Sequence, residues 1–217
     1  MKKVEICAMK LLVVAATRQE IALFDPNPAD IDILITGVGI PAATYHVQKK
    51  LYQSDYDFVI QAGFAGSYRN QISLGETVLV AKDCFGDLGL EEKEIFTPLF
   101  DTGLGIKDEF PFANGWLAND HPFLALEHYI KVNAITVNTV SDSKLLLQQR
   151  MACFNPDTES MEGAAFHYIC LQEKIPFLQV RTISNYAGER DKTKWTIKEA
   201  VVNLNRELNK IINFLIA

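Results

Sequence analysis

Residues 160–185, SMEGAAFHYICLQEKIPFLQVRTISN, read as one strand–helix–strand unit with polar residues at both joints. The helix spans roughly Gly163 to Glu173 and is apolar on nearly every face, and the buried strand after Pro176 ends at Asn185. Glu162 at the mouth of the helix and Asn185 at the end of the strand therefore lie at the same rim of a sheet. Because open α/β sheets bind ligands outside the carboxyl ends of their strands, these two residues indicate a binding site.

The rest of the chain alternates short apolar runs with helical patterns, which is typical of a mostly parallel sheet. The predicted strands are Leu11–Thr17, Ile31–Thr36, Phe58–Ala62, Glu76–Cys84 and Tyr129–Val140. The predicted helices are Gln19–Phe24, Pro41–Gln53, Ser143–Ala152 and Thr196–Leu215, the last with a one-faced apolar stripe. We expect a single α/β domain over residues 1–217, with three α/β/α layers around a central mixed, mostly parallel sheet.

The composition narrows the class of protein. With 48% hydrophobic and 22% charged residues over 217 positions, the chain has enough apolar residues for a large core. A net charge of −6 without a run of Lys or Arg argues against a nucleic-acid binder but not against a compact site for a small anion. No apolar run approaches the ~20 residues of a membrane span. The four cysteines share no metal-ligand spacing, so we expect reduced thiols in a cytoplasmic protein without a metal site.

The first residues imitate a secretory leader, because Met1-Lys2-Lys3 precedes a mostly apolar stretch that ends at Ala16. Glu5 and Lys10 interrupt that stretch, so we do not expect a signal peptide. A start at Met9 would leave residues 1–8 as an N-terminal extension.

The segment from Phe85 to Asn119 shows no strong period but carries an unusual number of aromatic residues. They are Phe85, Phe96, Phe100, Phe110, Phe112 and Trp116. A structureless loop of this length in a compact domain is usually functional or bound to a partner. A homo-oligomer, a dimer or higher, is the expected reason for the aromatic content.

Glu20 lies three residues beyond the first buried strand and admits two interpretations. It is either a solvated residue of a first helical turn, where negative charge suits the helix dipole, or a carboxylate at the strand exit that deprotonates a water molecule. The glycine motifs Gly37-Val38-Gly39 and Gly63-Phe64-Ala65-Gly66 follow other strands, where they allow backbone N–H groups to approach a ligand or form tight turns.

Glu162 starts an apolar helix that must be buried, so its carboxylate needs partners. A sugar diol with two adjacent hydroxyl donors is one such partner, and Met161 beside it offers a soft apolar surface for a ribose. The structural alternative is a helix cap paired with Arg181 or with a backbone amide.

Six motifs together resemble the nucleoside phosphorylase/nucleosidase superfamily, and within it the futalosine hydrolases of the alternative menaquinone pathway. The motifs are LLVVAATRQE, TGVGIPAA, QAGFAGSY, GETVLV, ESMEGAAF and VRTISNY, in the order that the family requires. The resemblance covers the chain from Leu11 to the last helix, and its last two motifs are the specific ones. It implies a nucleoside phosphorylase-like fold.

The resemblance implies a role for each matched residue. Glu20 matches the glutamate that activates water, and Met161 and Glu162 match the pair that holds the ribose. Asn185 matches the residue that addresses the purine N7 edge. The catalytic residues are then Glu20 and Asn185, and the substrate-binding residues are Phe64, Ala65, Gly66, Val140, Ser160, Met161 and Glu162.

Three positions depart from the adenosine-type nucleosidases of this superfamily. Asn185 replaces their aspartate, and an amide can donate to N7 or O6 of a 6-oxopurine such as hypoxanthine. Phe64 stands where those enzymes have serine. Thr139 and Val140 occupy the base-stacking position, so we expect an aromatic residue from the Phe85–Trp116 segment to supply that wall, in this subunit or from a neighbouring one.

The resemblance therefore implies hydrolysis of futalosine to hypoxanthine and dehypoxanthine futalosine, with no metal or organic cofactor. A methylthioadenosine/adenosylhomocysteine-type nucleosidase is the main alternative. A purine nucleoside phosphorylase would need a cationic phosphate cradle, for which Arg18 and Arg69 are candidates. A nucleoside-binding or sensor protein without turnover is an alternative of a different class.

Overall fold

The computed structural model describes residues 9–26, 31–125 and 128–216. The proposed extension at residues 1–8 lies outside the described residues, as does Cys7. The strands are β1 Leu11–Ala15, β2 Ile31–Ile35, β3 Phe58–Ser67, β4 Thr77–Phe85, β5 Gly89–Glu92, β6 Ile95–Pro98, β7 Leu117–Ala118, β8 Ile130–Thr136, β9 Thr158–Ser160 and β10 Phe177–Tyr186. The α-helices are α1 Ile40–Gln53, α2 Lys144–Phe154, α3 Gly163–Gln172 and α4 Ile197–Leu215.

One large sheet runs in the order β10-β4-β8-β9-β3-β1-β2, with β7 paired to β4. Strand β3 also pairs with β10, so β3, β10, β4, β8 and β9 close into a circuit from which β1 and β2 extend. The β1–β2, β1–β3, β3–β10, β4–β8 and β8–β9 pairs are parallel, while β4–β10, β3–β9 and β4–β7 are antiparallel. The predicted α/β class with a mixed, mostly parallel sheet is confirmed.

The layers follow from the two-residue period of the strands. On β1, Leu11 and Val13 face a cluster that includes Leu204 of α4. Leu12 and Val14 point to the opposite face, where they join a cluster that includes Phe166 of α3. Burying each such side chain contributes about 1.5–3 kcal/mol, so helices on both faces of the sheet are held by the same strand.

The predicted helix at Gln19–Phe24 is wrong. These residues form turns, with the N–H of Phe24 donating to the carbonyl of Ile21 at 3.1 Å. Six residues are too few to nucleate a helix without tertiary support. The side chain of Asn205 on α4 instead donates to the Glu20 carbonyl at 2.9 Å and fixes the turn.

The largest other differences from the prediction concern β3, β8 and the segment at 85–119. Strand β3 continues through Gly63–Gly66 to Ser67, because these residues pair with β10. Strand β8 ends at Thr136, before the predicted end at Val140. The segment at 85–119 contains the β5–β6 hairpin and β7, and strands of two to four residues are too short to show a period.

Candidate active site

A cavity of about 570 Å³ opens beside the carboxyl ends of β1, β3, β9 and β10. All nine residues expected at the site lie on its wall: Glu20, Phe64, Ala65, Gly66, Val140, Ser160, Met161, Glu162 and Asn185. The fold therefore brings together residues that are up to 165 positions apart in the sequence, from Glu20 to Asn185.

Glu20 is a buried carboxylate with a defined orientation, and only 6% of the residue is exposed. Its Oε2 accepts hydrogen bonds from the Thr17 N–H at 2.7 Å and the Thr17 hydroxyl at 3.1 Å, and its Oε1 accepts from the Phe64 N–H at 3.3 Å. Burial raises the pKa of Glu20, and the positive charge of Arg181 opposes that rise. The interpretation of Glu20 as a solvated helix residue is therefore wrong.

Glu162 reaches the same cavity from the start of α3 and is also buried. Its Oε1 accepts from the N–H of Gly39 at 2.9 Å, and its Oε2 lies 3.9 Å from Nη1 of Arg181. Gly39 has φ +97°, a conformation that favours glycine. The second glycine of the Gly37-Val38-Gly39 motif thus holds a carboxylate.

The structural alternative for Glu162 is half right. Glu162 does lie beside Arg181 and does accept from a backbone N–H, that of Gly39. Its side chain does not cap α3. The hydroxyl of Ser160 accepts from the Gly163 N–H at 3.3 Å, and the hydroxyl of Thr136 accepts from the Ala164 N–H at 2.6 Å. Because these two hydroxyls satisfy the helix terminus, Glu162 is free to face the cavity.

Arg181 lies behind both carboxylates and is 1% exposed. Its Nη2 donates to Oε1 of Gln61 at 2.9 Å. A β-carbon at Gly63 would collide with the guanidinium and would lie 2.9 Å from Oε1 of Glu20. The glycine inside β3 therefore makes room for the arginine that compensates the two negative charges.

Asn185 is half-buried at a register shift between β10 and β3. Its Oδ1 accepts from the Ser184 hydroxyl at 2.8 Å, and its Nδ2 donates to the carbonyl of Tyr186 at 3.0 Å. An amide nitrogen carries two hydrogens, so one donor of Asn185 remains for a ligand. A β-carbon at Gly66 would lie 3.3 Å from this nitrogen, which explains the glycine there.

The loop after β10 forms part of the wall that the sequence interpretation missed. It contributes Gly188, Glu189, Arg190, Lys192 and Trp195. The loop directly follows a strand that was expected to end at the site. Its place in the sequence could therefore have predicted that it lines the cavity. Thr17, Glu159 and Ser184 also line the cavity and were missed.

The aromatic residues of the Phe85–Trp116 segment do not line this cavity in the described part of the chain. Phe112 packs 4.9 Å from Phe100 and 5.9 Å from Tyr168, measured between ring centroids. The aromatic residues on the wall are Phe64 and Trp195. An aromatic wall donated within the same subunit is therefore wrong for this segment.

The two arginines considered for a phosphate cradle do not line the cavity. Arg69 pairs with Asp157 at 2.9 Å and donates to Oδ1 of Asn155 at 2.8 Å. Arg18 is exposed beside the Thr17–Glu20 turn.

Across residues 9–26, 31–125 and 128–216, no three His, Cys, Asp or Glu side chains group as metal ligands. No helix in these ranges has the length and hydropathy of a membrane span.

The chain is similar to known proteins over most of its length. A family model described as the phosphorylase superfamily matches residues 30–217. The futalosine hydrolase of Thermus thermophilus is 31% identical over 184 residues, which cover 82% of this chain and 80% of that protein.

Two solved structures share the fold. Futalosine hydrolase of Helicobacter pylori superposes with a TM-score of 0.78 at 15% identity, covering 95% of this chain and 98% of that one. A 5′-methylthioadenosine/S-adenosylhomocysteine nucleosidase from Colwellia psychrerythraea, in complex with adenine, gives a TM-score of 0.76 at 20% identity and covers 93% of each chain.

Proposed function

This chain belongs to the phosphorylase superfamily, and we propose that it hydrolyses the N-glycosidic bond of futalosine to hypoxanthine and dehypoxanthine futalosine. The observation that carries the proposal is the placement of two buried carboxylates, Glu20 and Glu162, on the wall of one cavity with Asn185. The similarity to the futalosine hydrolase of Thermus thermophilus over most of both chains supports this substrate.

Glu20 activates the water molecule. The N–H groups of Thr17 and Phe64 orient its carboxylate, and burial raises its pKa toward the range in which it accepts a proton. The water oxygen bonds to the anomeric carbon while the bond from that carbon to the base nitrogen breaks. The water proton passes to Glu20 and from there to solvent, and the departing base takes up a proton from solvent, so one water molecule is consumed for each bond that breaks. General-base assistance contributes typically about 10²–10⁴-fold.

Glu162 and Met161 hold the ribose. The carboxylate keeps acceptor positions beyond the single bond from Gly39, and these accept the 2′ and 3′ hydroxyls. A negative charge beside a sugar that becomes positive in an oxocarbenium-like transition state also stabilises that state.

Asn185 reads the base. The remaining N–H of its amide donates to N7 or O6 of hypoxanthine, where negative charge develops as the bond breaks. A fixed donor at such a position is worth about 10²–10³-fold. The bond from Ser184 holds the amide oxygen, so the amide nitrogen faces its partners in one orientation.

The reaction belongs to menaquinone biosynthesis, where futalosine is an intermediate of the alternative pathway. Cys153 is an exposed free thiol, and Cys84 and Cys170 are buried free thiols, which favours a reducing cytoplasmic compartment.

The protein assembles as a homo-oligomer in this proposal. The β5–β6 hairpin and the loop that follows it expose large apolar side chains, among them Leu90, Ile95, Leu104, Ile106 and Phe110. Such residues indicate an interface, and a second copy seated there can bring an aromatic residue toward the wall formed by Val140. Light scattering tests this part, and a monomer with full activity at assay concentration would exclude it.

A substrate panel tests the proposed function. Futalosine, 6-amino-6-deoxyfutalosine, methylthioadenosine and inosine are compared by kcat/KM, with the released base followed by chromatography. We expect futalosine to be the preferred substrate and hypoxanthine the product. Preference for methylthioadenosine would establish the alternative nucleosidase function, and tight binding of a nucleoside without turnover would establish a sensor.

A further inference from the structure

We infer that Arg190 and Trp195, at the rim of the cavity, form a subsite for the aromatic carboxylate end of the substrate. The inference rests on the proposed function, because futalosine carries a benzoate group at the end remote from the base. It adds the residues that recognise that group and predicts that a nucleoside without an anionic tail is a poor substrate.

The charges on the cavity wall are unevenly compensated. Glu159 is paired with Arg150 at 3.2 Å, and Glu189 is paired with Lys194 at 2.7 Å. The remaining wall carboxylates, Glu20 and Glu162, share Arg181 behind them. Three cations from outside the cavity therefore face the four carboxylates of the wall, two of which share Arg181.

The two cations that belong to the wall itself are Arg190 and Lys192. Within the described residues, neither has a carboxylate oxygen within 4.0 Å. Together with Arg150, Arg181 and Lys194, these two bring five cations to four wall carboxylates, and the charge of Arg190 also acts on Glu159. In a chain with a net charge of −6, this is a local surplus of one positive charge. A surplus of this kind attracts an anionic group.

Trp195 gives the subsite its aromatic character. The guanidinium carbon of Arg190 lies 5.2 Å from the centroid of the Trp195 ring. The indole N–H donates to the Glu189 carbonyl at 3.0 Å, which fixes the ring plane. A planar guanidinium held on a ring presents its donors in a fork that matches a carboxylate. The half-buried indole offers an apolar surface for the attached phenyl ring.

The position and size of the cavity fit such a ligand. Arg190 and Trp195 lie on the loop that follows β10, the strand that carries Asn185, so the subsite shares its wall with the residues proposed for base and ribose. A volume of about 570 Å³ lies within the roughly 300–1,000 Å³ typical of pockets for drug-sized ligands.

The test compares futalosine with its methyl ester, which keeps the aromatic ring and removes the charge. We expect wild-type enzyme to show a KM for the ester about 5- to 20-fold above that for the acid, as for loss of a charge-assisted pair at a partly exposed site. In R190Q the KM for the acid rises to that of the ester, while kcat and the KM for the ester stay unchanged. R190K recovers part of the preference, because a lysine keeps the charge but not the fork.

Lys198→Gln is the matched control, because it removes one positive charge from the exposed start of α4 outside the cavity wall. We expect it to leave both KM values unchanged. Equal KM values of wild type for acid and ester, or an equal rise for both substrates in R190Q, would overturn the subsite while hydrolysis of futalosine still stands. If wild type cleaves methylthioadenosine and not futalosine, the proposed function fails and the subsite fails with it.

Discussion

Two buried arginine–glutamate pairs lie beside the same cavity, and they differ in how tightly they are closed. Arg150 and Glu159 are 3.2 Å apart, and Glu159 also accepts from the Tyr68 hydroxyl at 2.7 Å. Nη2 of Arg150 donates to the carbonyl of Thr139 at 2.8 Å. In the other pair, Arg181 lies 3.9 Å from Glu162, which is too long for a hydrogen bond.

The difference separates a structural pair from a working one. In the first pair, short bonds hold both partners, so removal of either partner leaves the other as an uncompensated buried charge. In the second, Arg181 compensates Glu162 and Glu20 without occupying their oxygens, which keeps acceptor positions open to a substrate and a water molecule. A buried carboxylate beside an arginine is therefore not enough to assign a function. Oxygen acceptor positions that remain open to a ligand distinguish a site residue from a structural one.

The largest expected effect is that of Glu20→Gln. The substitution keeps the volume of the side chain but removes the base, so kcat falls by at least about 100-fold. Affinity for futalosine changes little, because the lost interaction belongs to the transition state. Steady-state kinetics and calorimetric titration measure the two quantities. A variant that keeps more than about a tenth of wild-type kcat would show that Glu20 is not the base.

Glu162→Gln is expected to lower kcat/KM by about 10- to 100-fold, because a charged acceptor for two hydroxyls is replaced by an amide. Unlike Glu20→Gln, it weakens the binding of futalosine, since the ribose contacts form before the reaction. The comparison of dissociation constants for the two variants checks this order. Unchanged affinity in the Glu162 variant would remove its ribose role.

Asn185→Asp should shift preference from 6-oxo toward 6-amino purines by about tenfold or more, because a mismatched polar group costs about 1–3 kcal/mol. The new carboxyl would face the Tyr186 carbonyl, 3.0 Å from the present Nδ2. That contact favours the protonated form, which donates to N7. The ratio of kcat/KM between futalosine and its 6-amino analogue is the measurement. If the ratio stays constant, Asn185 does not read the base.

Glu159→Gln is the matched control for both glutamates, because it makes the same change on the same cavity wall. We expect the free energy of unfolding to drop by about 3 kcal/mol, since Arg150 is left buried without its counterion. The kcat of the folded enzyme should change by less than about threefold, far below the effect of a general base. Denaturant unfolding and kinetics on one preparation check both parts. A large loss of kcat with unchanged stability would reverse the assignment of the two pairs.

The sequence predicted the parts of this comparison that depend on local pattern. Glu162 and Asn185 could be found because an apolar helix and a buried strand end beside them. Arg150 could not, because it lies in an exposed-looking helix and meets Glu159 only through the β8–β9 and β3–β9 pairings. The closed circuit through β3 and β10 also depends on a register between strands more than 100 residues apart, which no local signal encodes.

The loop at 187–196 was missed for a different reason. Its residues form a turn and a short 3-10 helix, Lys192–Lys194, with little hydrophobic pattern. The placement of Arg190 on Trp195 arises from a side-chain contact across five positions. The aromatic segment at 85–119 gave a prediction that is wrong within one subunit. Its composition suggested a wall of the site, while Phe112 packs against Phe100 and against Tyr168 of α3 in the same chain. An aromatic wall from a second copy stays a prediction.

The dependence of the reaction on phosphate tests the central claim most directly, because the account assigns the attack to a water molecule on Glu20. Release of hypoxanthine from futalosine is followed in phosphate-free buffer and with increasing phosphate, and the sugar product is identified by mass spectrometry. We expect a rate independent of phosphate and a free sugar product. A rate that rises to saturation with phosphate, together with a sugar 1-phosphate, would contradict hydrolysis and identify a phosphorylase.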